Sequence, residues 1–178
     1  PDAFAREWME LAGCDPTQAN GIAWQEGMRR IEAALAAGQS HAFETTLGGR
    51  SMTARILQAT KTHDVLMWFC GLSSPEQHIS RVQARVAAGG HAIPETMIRA
   101  RFVGSRENLL GLMPHLAQLR VFDNSTEAAP GGPLPDPRLL LDMRAGRLLW
   151  PTAQDGDALR QTPDWAKPLL EAALQTAA

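Results

Sequence analysis

Apolar positions recur at helical spacing through the first part of the chain. Phe4, Trp8 and Leu11 fall three to four residues apart in PDAFAREWMEL, with Asp2 near the start of that stretch. A second helix is expected from about Thr17 to Ala37, with Ile22, Met28, Ile31 and Leu35 as its apolar stripe and Gly38 as its stop. HAFET, at 41–45, reads as a short strand. SMTARILQATKT, at 51–62, reads as a helix with Ser51 as N-cap. VLMWFCGL, at 65–72, is a continuous apolar run, the pattern of a strand buried on both faces.

The second half alternates in the same way. PEQHISRVQARVAAGG (75–90) opens with proline and closes with glycines, the punctuation of a helix. HAIPETMIRARF (91–102) is expected as a loop entering a helix, and SRENLLGLMPHL (105–116) as a separate helix stopped near Pro114. LRVFDN (119–124) reads as a third strand, and EAAPGGPLPDP (127–137) as a loop. RLLLDMRAGRLLW (138–150) predicts a hairpin turning at Ala145 and Gly146, and a last helix should begin near Pro163. Strands alternating with helices indicate an α/β domain with a mostly parallel sheet, in which ligands bind beyond the carboxyl ends of the strands.

Composition narrows the function. The 178 residues suit one domain with a real core, and 44% apolar with 20% charged residues is ordinary globular content. A net charge of −2 gives no overall attraction to nucleic acid or to an anionic membrane. No apolar run approaches the roughly 18 residues of a membrane span, and no secretory leader is visible. Cys14 and Cys70 lie far apart without metal-ligand spacing and read as reduced thiols. His41, His63, His78 and His115 are not spaced as a metal cage, and His91 reads as a loop histidine. The expected location is cytoplasmic.

Polar chemistry collects at three expected strand ends: ETTLGGR (44–50), GLSSPE (71–76), where a serine also suits a helix cap, and DNS (123–125). Glu44 stands out, since a carboxylate at the end of a short apolar strand is costly without a partner or a task. Asp2 by itself is a first-turn carboxylate favoured by the helix dipole. Arg81, Arg85, Arg99, Arg101 and Arg106 against Glu95 give +5 − 1 = +4 over residues 81–106. Two arginine-bearing helices joined by the glycine hinge AAGGHAIP form a lid suited to phosphate oxyanions. Solvated helix faces are the plain alternative. Nucleic-acid binding ranks last, because Phe102 is the one aromatic within the basic stretch.

The motif order PDAFARE, AFETTLGGR, VLMWFCGLSSPEQHISRVQARVAAGGHAIP, IRARF, RENL and VFDNS resembles the zeta-toxin-like P-loop kinases, more closely the bacterial subgroup described as zeta toxin or predicted ABC-type ATPase. The likeness runs from residue 1 to about 125, and PDWAKPLLEAAL near the end is also similar. The resemblance implies a single domain over 1–178: a three-layer P-loop kinase-like α/β fold with a mostly parallel sheet, a helical lid at about 81–106, and a C-terminal hairpin and helix at about 138–176. It implies transfer of phosphate from ATP, with Mg²⁺, to a hydroxyl of a nucleotide sugar such as UDP-N-acetylglucosamine. Asp2 would be the catalytic base. Glu44, Thr45, Thr46 and Arg50 would hold the acceptor. Arg81, Arg85, Arg99 and Arg101 would grip the ATP phosphates, with Asn124 near the adenine. A small antitoxin protein is an implied partner. The family's GxxxxGK[ST] loop occurs nowhere in these residues. The expectation is therefore a truncated or degenerate chain that is not a competent kinase as written. The alternative function is a non-catalytic remnant that binds a nucleotide sugar or a protein.

Overall fold

The computed structural model describes residues 15–128, 132–133 and 135–176. The expected first helix and Asp2 lie outside the described residues. The chain divides into two compact units, Pro1–Thr45 and Thr46–Ala178.

In the first unit, helix α1 spans Pro16–Ala37, close to the expected bounds. Asp15 caps it: its carboxylate accepts from the Gln18 amide at 3.0 Å, and the Gln18 side chain accepts from the Asp15 amide at 3.4 Å. Gly38 ends it at φ 64°, with Gly38 N donating to Leu35 O and Gln39 N to Ala34 O, a Schellman closure. Ala23, Met28, Ile31 and Ala34 are buried, while Ile22 and Leu35 of the expected stripe are half-buried. HAFET forms no strand. Residues 39–48 have no regular structure, and Phe43 is exposed. Two apolar residues without a neighbouring ladder cannot hold a strand.

The second unit contains α2 (Arg50–Ala59), β1 (Leu66–Gly71), α3 (Pro75–Ala87), α4 (Glu95–Leu112), a 3₁₀ turn (Met113–His115) and β2 (Gln118–Asp123). The hairpin β3 (Arg138–Arg144) and β4 (Arg147–Trp150) follows, then α5 (Gly156–Arg160), a second 3₁₀ turn (Asp164–Ala166) and α6 (Lys167–Gln175). The two helices expected across 91–116 are one. Gly104 does not break α4, because a helix tolerates a glycine at modest cost and other residues of α4 pack into the core.

The four strands lie in the order β1-β2-β3-β4. Only β1 and β2 are parallel, with Leu66 opposite Gln118 and Gly71 opposite Asp123. β2–β3 and β3–β4 are antiparallel, so the expected mostly parallel sheet is wrong. The physical reason was present in the chain. Ala145 (φ 47°) and Gly146 (φ 73°) form a two-residue turn, which can only reverse direction, whereas a parallel neighbour needs a long crossover. β1–α3–α4–β2 is the one such crossover in the described sheet. β1 is likewise not buried on both faces: Leu66 is 63% and Trp68 70% exposed, while Met67 and Phe69 turn inward.

One face of the sheet carries the core. Leu119, Val121, Leu141 and Met143 cluster with Leu109 and Leu112 of α4 and with Leu169 and Ala173 of α6. Each fully buried leucine contributes roughly 2 kcal/mol of transfer free energy. Gly71 closes β1 beneath Trp165: a Cβ there would stand 2.2 Å from the indole. Gly71→Ala should lower the stability measured by urea denaturation by about 1–3 kcal/mol. Gly111→Ala in α4, where no atom lies within 4 Å, should raise it by about 0.5–1 kcal/mol.

Candidate functional site

The carboxyl ends of β1 and β2 do form a polar corner, tied to α3. Ser74 caps α3, accepting from the Gln77 amide at 3.1 Å. Asn124 N donates to Gly71 O at 2.9 Å, so the two strand ends stay paired. Gln77 Nε2 donates to Ser125 O at 2.6 Å. Arg81 Nη2 donates to Asn124 O at 2.8 Å and Thr126 O at 3.3 Å. Thus Arg81 meets Asn124 through the Asn124 backbone, and the guanidinium fastens the loop after β2. Asp123 anchors the same loop, accepting from Ser125 N at 3.2 Å, from the Ser125 hydroxyl and from Trp165 Nε1 at 3.4 Å. Arg138 stands 3.6 Å from its other oxygen.

The rest of the arginine cluster divides. Arg99 pairs with Glu76 at 2.7 Å, joining α4 to α3. Arg106 lies 4.0 Å over the Phe102 ring and donates to Phe102 O at 2.9 Å, and partial burial lowers its pKa. Arg85 reaches His91 O at 3.5 Å, across the connection between the helices. Between α3 and α4 runs an apolar groove of about 370 Å³, lined by Ile79, Val82, Val86, Ile93 and Ile98 among others.

A second basic corner forms where α2 starts. Leu47, at φ 51°, turns its side chain into the core, and its carbonyl accepts from Asn108 Nδ2 of α4 at 2.7 Å. Gly48 lets the stem of Arg101 pass: a Cβ on Gly48 would stand 2.7 Å from Arg101 Cγ. Gly49 is the N-cap without a side-chain cap, the first turn of α2 has no acid, and Arg50 is its first residue. Among the described residues neither Arg50 nor Arg101 forms an ion pair. Thr46 and Arg50 are exposed beside this turn, and Glu44 and Thr45 are exposed at the end of the first unit. The composition of LGGR is thereby explained: a left-handed leucine anchor, a glycine for close approach, a free helix start and a cation. Sequence reasoning missed Asn108 and did not single out Asp123. A carboxylate ending an apolar strand, as in VFD, was the available signal for Asp123.

Compared with family models, with curated proteins and with solved structures, the chain matches none. Among the described residues no three His, Cys, Asp or Glu side chains gather as a metal-binding group, and no helix is long and apolar enough to cross a membrane.

His78 of α3 meets Phe102 edge-on at 5.8 Å. Burial first, then the charge of Arg81, lowers its pKa. The neutral ring is thus favoured by folding. Its contribution is complete above about pH 6.5, the ordinary histidine value, and is lost as pH falls through the lowered value in the folded chain. Denaturation midpoints should drop as pH falls below about 6.5, and His78→Gln should flatten that drop.

Proposed function

We propose that this chain binds a phosphorylated small molecule as part of a kinase of zeta-toxin-like type, with ATP as donor and a nucleotide sugar such as UDP-N-acetylglucosamine as acceptor. The observation that carries this reading is the corner at the start of α2. Arg50 and Arg101, neither in an ion pair among the described residues, flank a helix N-terminus with no acidic first-turn residue and no side-chain cap. Helix amides and guanidinium forks favour a phosphate dianion. Phosphoryl transfer consists mainly of positioning and of neutralising spread negative charge, which arginines supply.

The residues fit the phosphates better than the metal. ATP would bring its own magnesium, and no described carboxylate group is arranged to hold that ion. In this reading Asp2 takes the acceptor hydroxyl's proton, Glu44, Thr45 and Thr46 hydrogen-bond the acceptor, and Arg85 adds charge from α3. Arg81 and Arg99 hold the lid in shape, since one fastens the Asn124 loop and the other pairs with Glu76. A cytoplasmic location and an antitoxin partner belong to the same proposal.

The competing reading is a binding module without transfer. It is favoured by the structural duties of Arg81 and Arg99, which fasten the loop after β2 and pair with Glu76 and so leave fewer lid cations for the phosphates of ATP. Titration calorimetry with MgATP and with UDP-N-acetylglucosamine, followed by an assay of phosphate transfer, separates the two. Arg101→Ala and Arg50→Ala should each weaken phosphate-ligand binding about tenfold, the cost of one charge-assisted contact. Transfer that Asp2→Asn abolishes supports the kinase, and binding without transfer supports the module. If neither ligand binds, or both arginine variants bind like the parent, the phosphate reading is wrong.

A further inference from the structure

Helices α3 and α4 are packed unequally. α4 buries Ile98, Leu109 and Leu112, whereas Ile79 is the one side chain that α3 buries among the described residues. Beyond Ile79 the seam widens into the apolar groove, so Val82 and Val86 line open space. Polar contacts supply much of the remaining hold on α3. Gln77 and Arg81 donate to carbonyls of the loop after β2, Arg85 donates to His91 O, and Glu76 forms a solvent-exposed pair with Arg99. Exposed pairs contribute little, and an element with so few buried contacts lies at the low end of local stability.

His78 occupies the tight part of this seam. Its half-buried ring meets Phe102 of α4 edge-on at 5.8 Å, and the Arg106 guanidinium lies 4.0 Å over the same Phe102 ring. Arg81 stands one turn further along α3 and adds a second positive charge. The nearby carboxylate of Glu76 is engaged by Arg99, and no carboxylate forms an ion pair with His78 among the described residues. The loop after β2 meets α3 through the backbone carbonyls of Asn124, Ser125 and Thr126. A proton on the imidazole would thus enter a half-buried site beside two guanidiniums, with no acid to offset it.

We propose that α3 is a proton-gated flap: proton uptake at His78 releases it locally from α4 while the sheet and the core end of α4 stay folded. In the closed form, burial first and then the Arg81 charge hold the imidazole below its ordinary pKa. In the released form the ring is hydrated and takes up a proton at the ordinary value, so protonation favours release. The closed form has its full advantage above about pH 6.5 and loses it as pH falls through the lowered value, by at most about thirtyfold at pH 5. Glu76 is held below the usual carboxylate range by Arg99, so that pair persists through the same window. Release also lets go of the loop after β2, which Gln77 and Arg81 fasten. The inference is independent of the phosphate reading.

The test is amide hydrogen exchange of the full chain, followed by NMR from about pH 7.5 to about pH 5, with each rate divided by the intrinsic rate at that pH. The amides of Val82, Arg85 and Val86 in α3 should be at least about tenfold less protected than those of Leu119 and Val121 in β2, because partial opening exposes the first group alone. Protection of the α3 amides should fall below about pH 6.5. His78→Gln should remove most of that fall, and His91→Gln should leave it in place, since His91 meets α3 through its carbonyl. Amides of α3 protected as well as those of β2 overturn the proposal, because α3 then opens only with the whole sheet. A change in α3 protection of less than about twofold across the window overturns it too, as does a fall that His78→Gln leaves intact. If His78→Gln fails to fold, titration of the His78 ring in the parent decides: a midpoint below the ordinary histidine value of about 6.5 supports the gate, and one at or above it overturns the gate.

Discussion

The burial of one sheet face beneath α4 and α6 is the constraint on which the rest of the second unit depends. Leu109 and Leu112 can leave water only by facing Leu119, Val121 and Leu141, and that choice fixes the rotation of α4 about its axis. Once the rotation is fixed, Asn108 is presented to the Leu47 carbonyl, and the stem of Arg101 falls on Gly48. The basic corner at α2 is thus a by-product of core packing on the same side of the helix, where Asn108 and Leu112 stand one turn apart. A small change in helix rotation would carry both contacts away together.

The same packing decides what each arginine can do. A guanidinium is always charged, but its use depends on which acceptors its neighbours leave within reach. Arg81 finds two carbonyls at the end of β2, Arg99 finds Glu76, and Arg106 finds the face of Phe102. Those three stabilise the local structure. Arg50 and Arg101 stand where the chain turns without supplying an acid. The positive charge is therefore divided between arginines engaged within the fold and two, Arg50 and Arg101, without an ion pair among the described residues, on which the proposed phosphate binding relies.

The two faces of the sheet set up a comparable division. The inward face is dense with leucine, while β1 turns Leu66 and Trp68 to the outside. Exposed large apolar side chains in a row are uncommon, and among the described residues β1 carries them at the end of the strand order. The opposite edge is guarded by Arg147 and Pro151, so the asymmetry is built into the residues and does not arise from the sheet as such.

Local signals by themselves determined much of this. Apolar periodicity placed α1 through to its Gly38 stop. Pro75 marked the start of α3, and Ala145-Gly146 marked the hairpin turn, because caps and turns depend on interactions within a few residues. The continuous apolar run located β1, but not its exposure, since an apolar residue looks the same in sequence whether or not a neighbour arrives to cover it. Sheet direction, the fusion of two expected helices into α4, and the loss of the HAFET strand were decided by long-range pairing, which local propensity does not encode. The clustering of arginines was legible in the sequence. Which of them pair within the fold was not, because that depends on acceptors such as the carbonyls of Asn124 and Thr126, some 45 residues away along the chain.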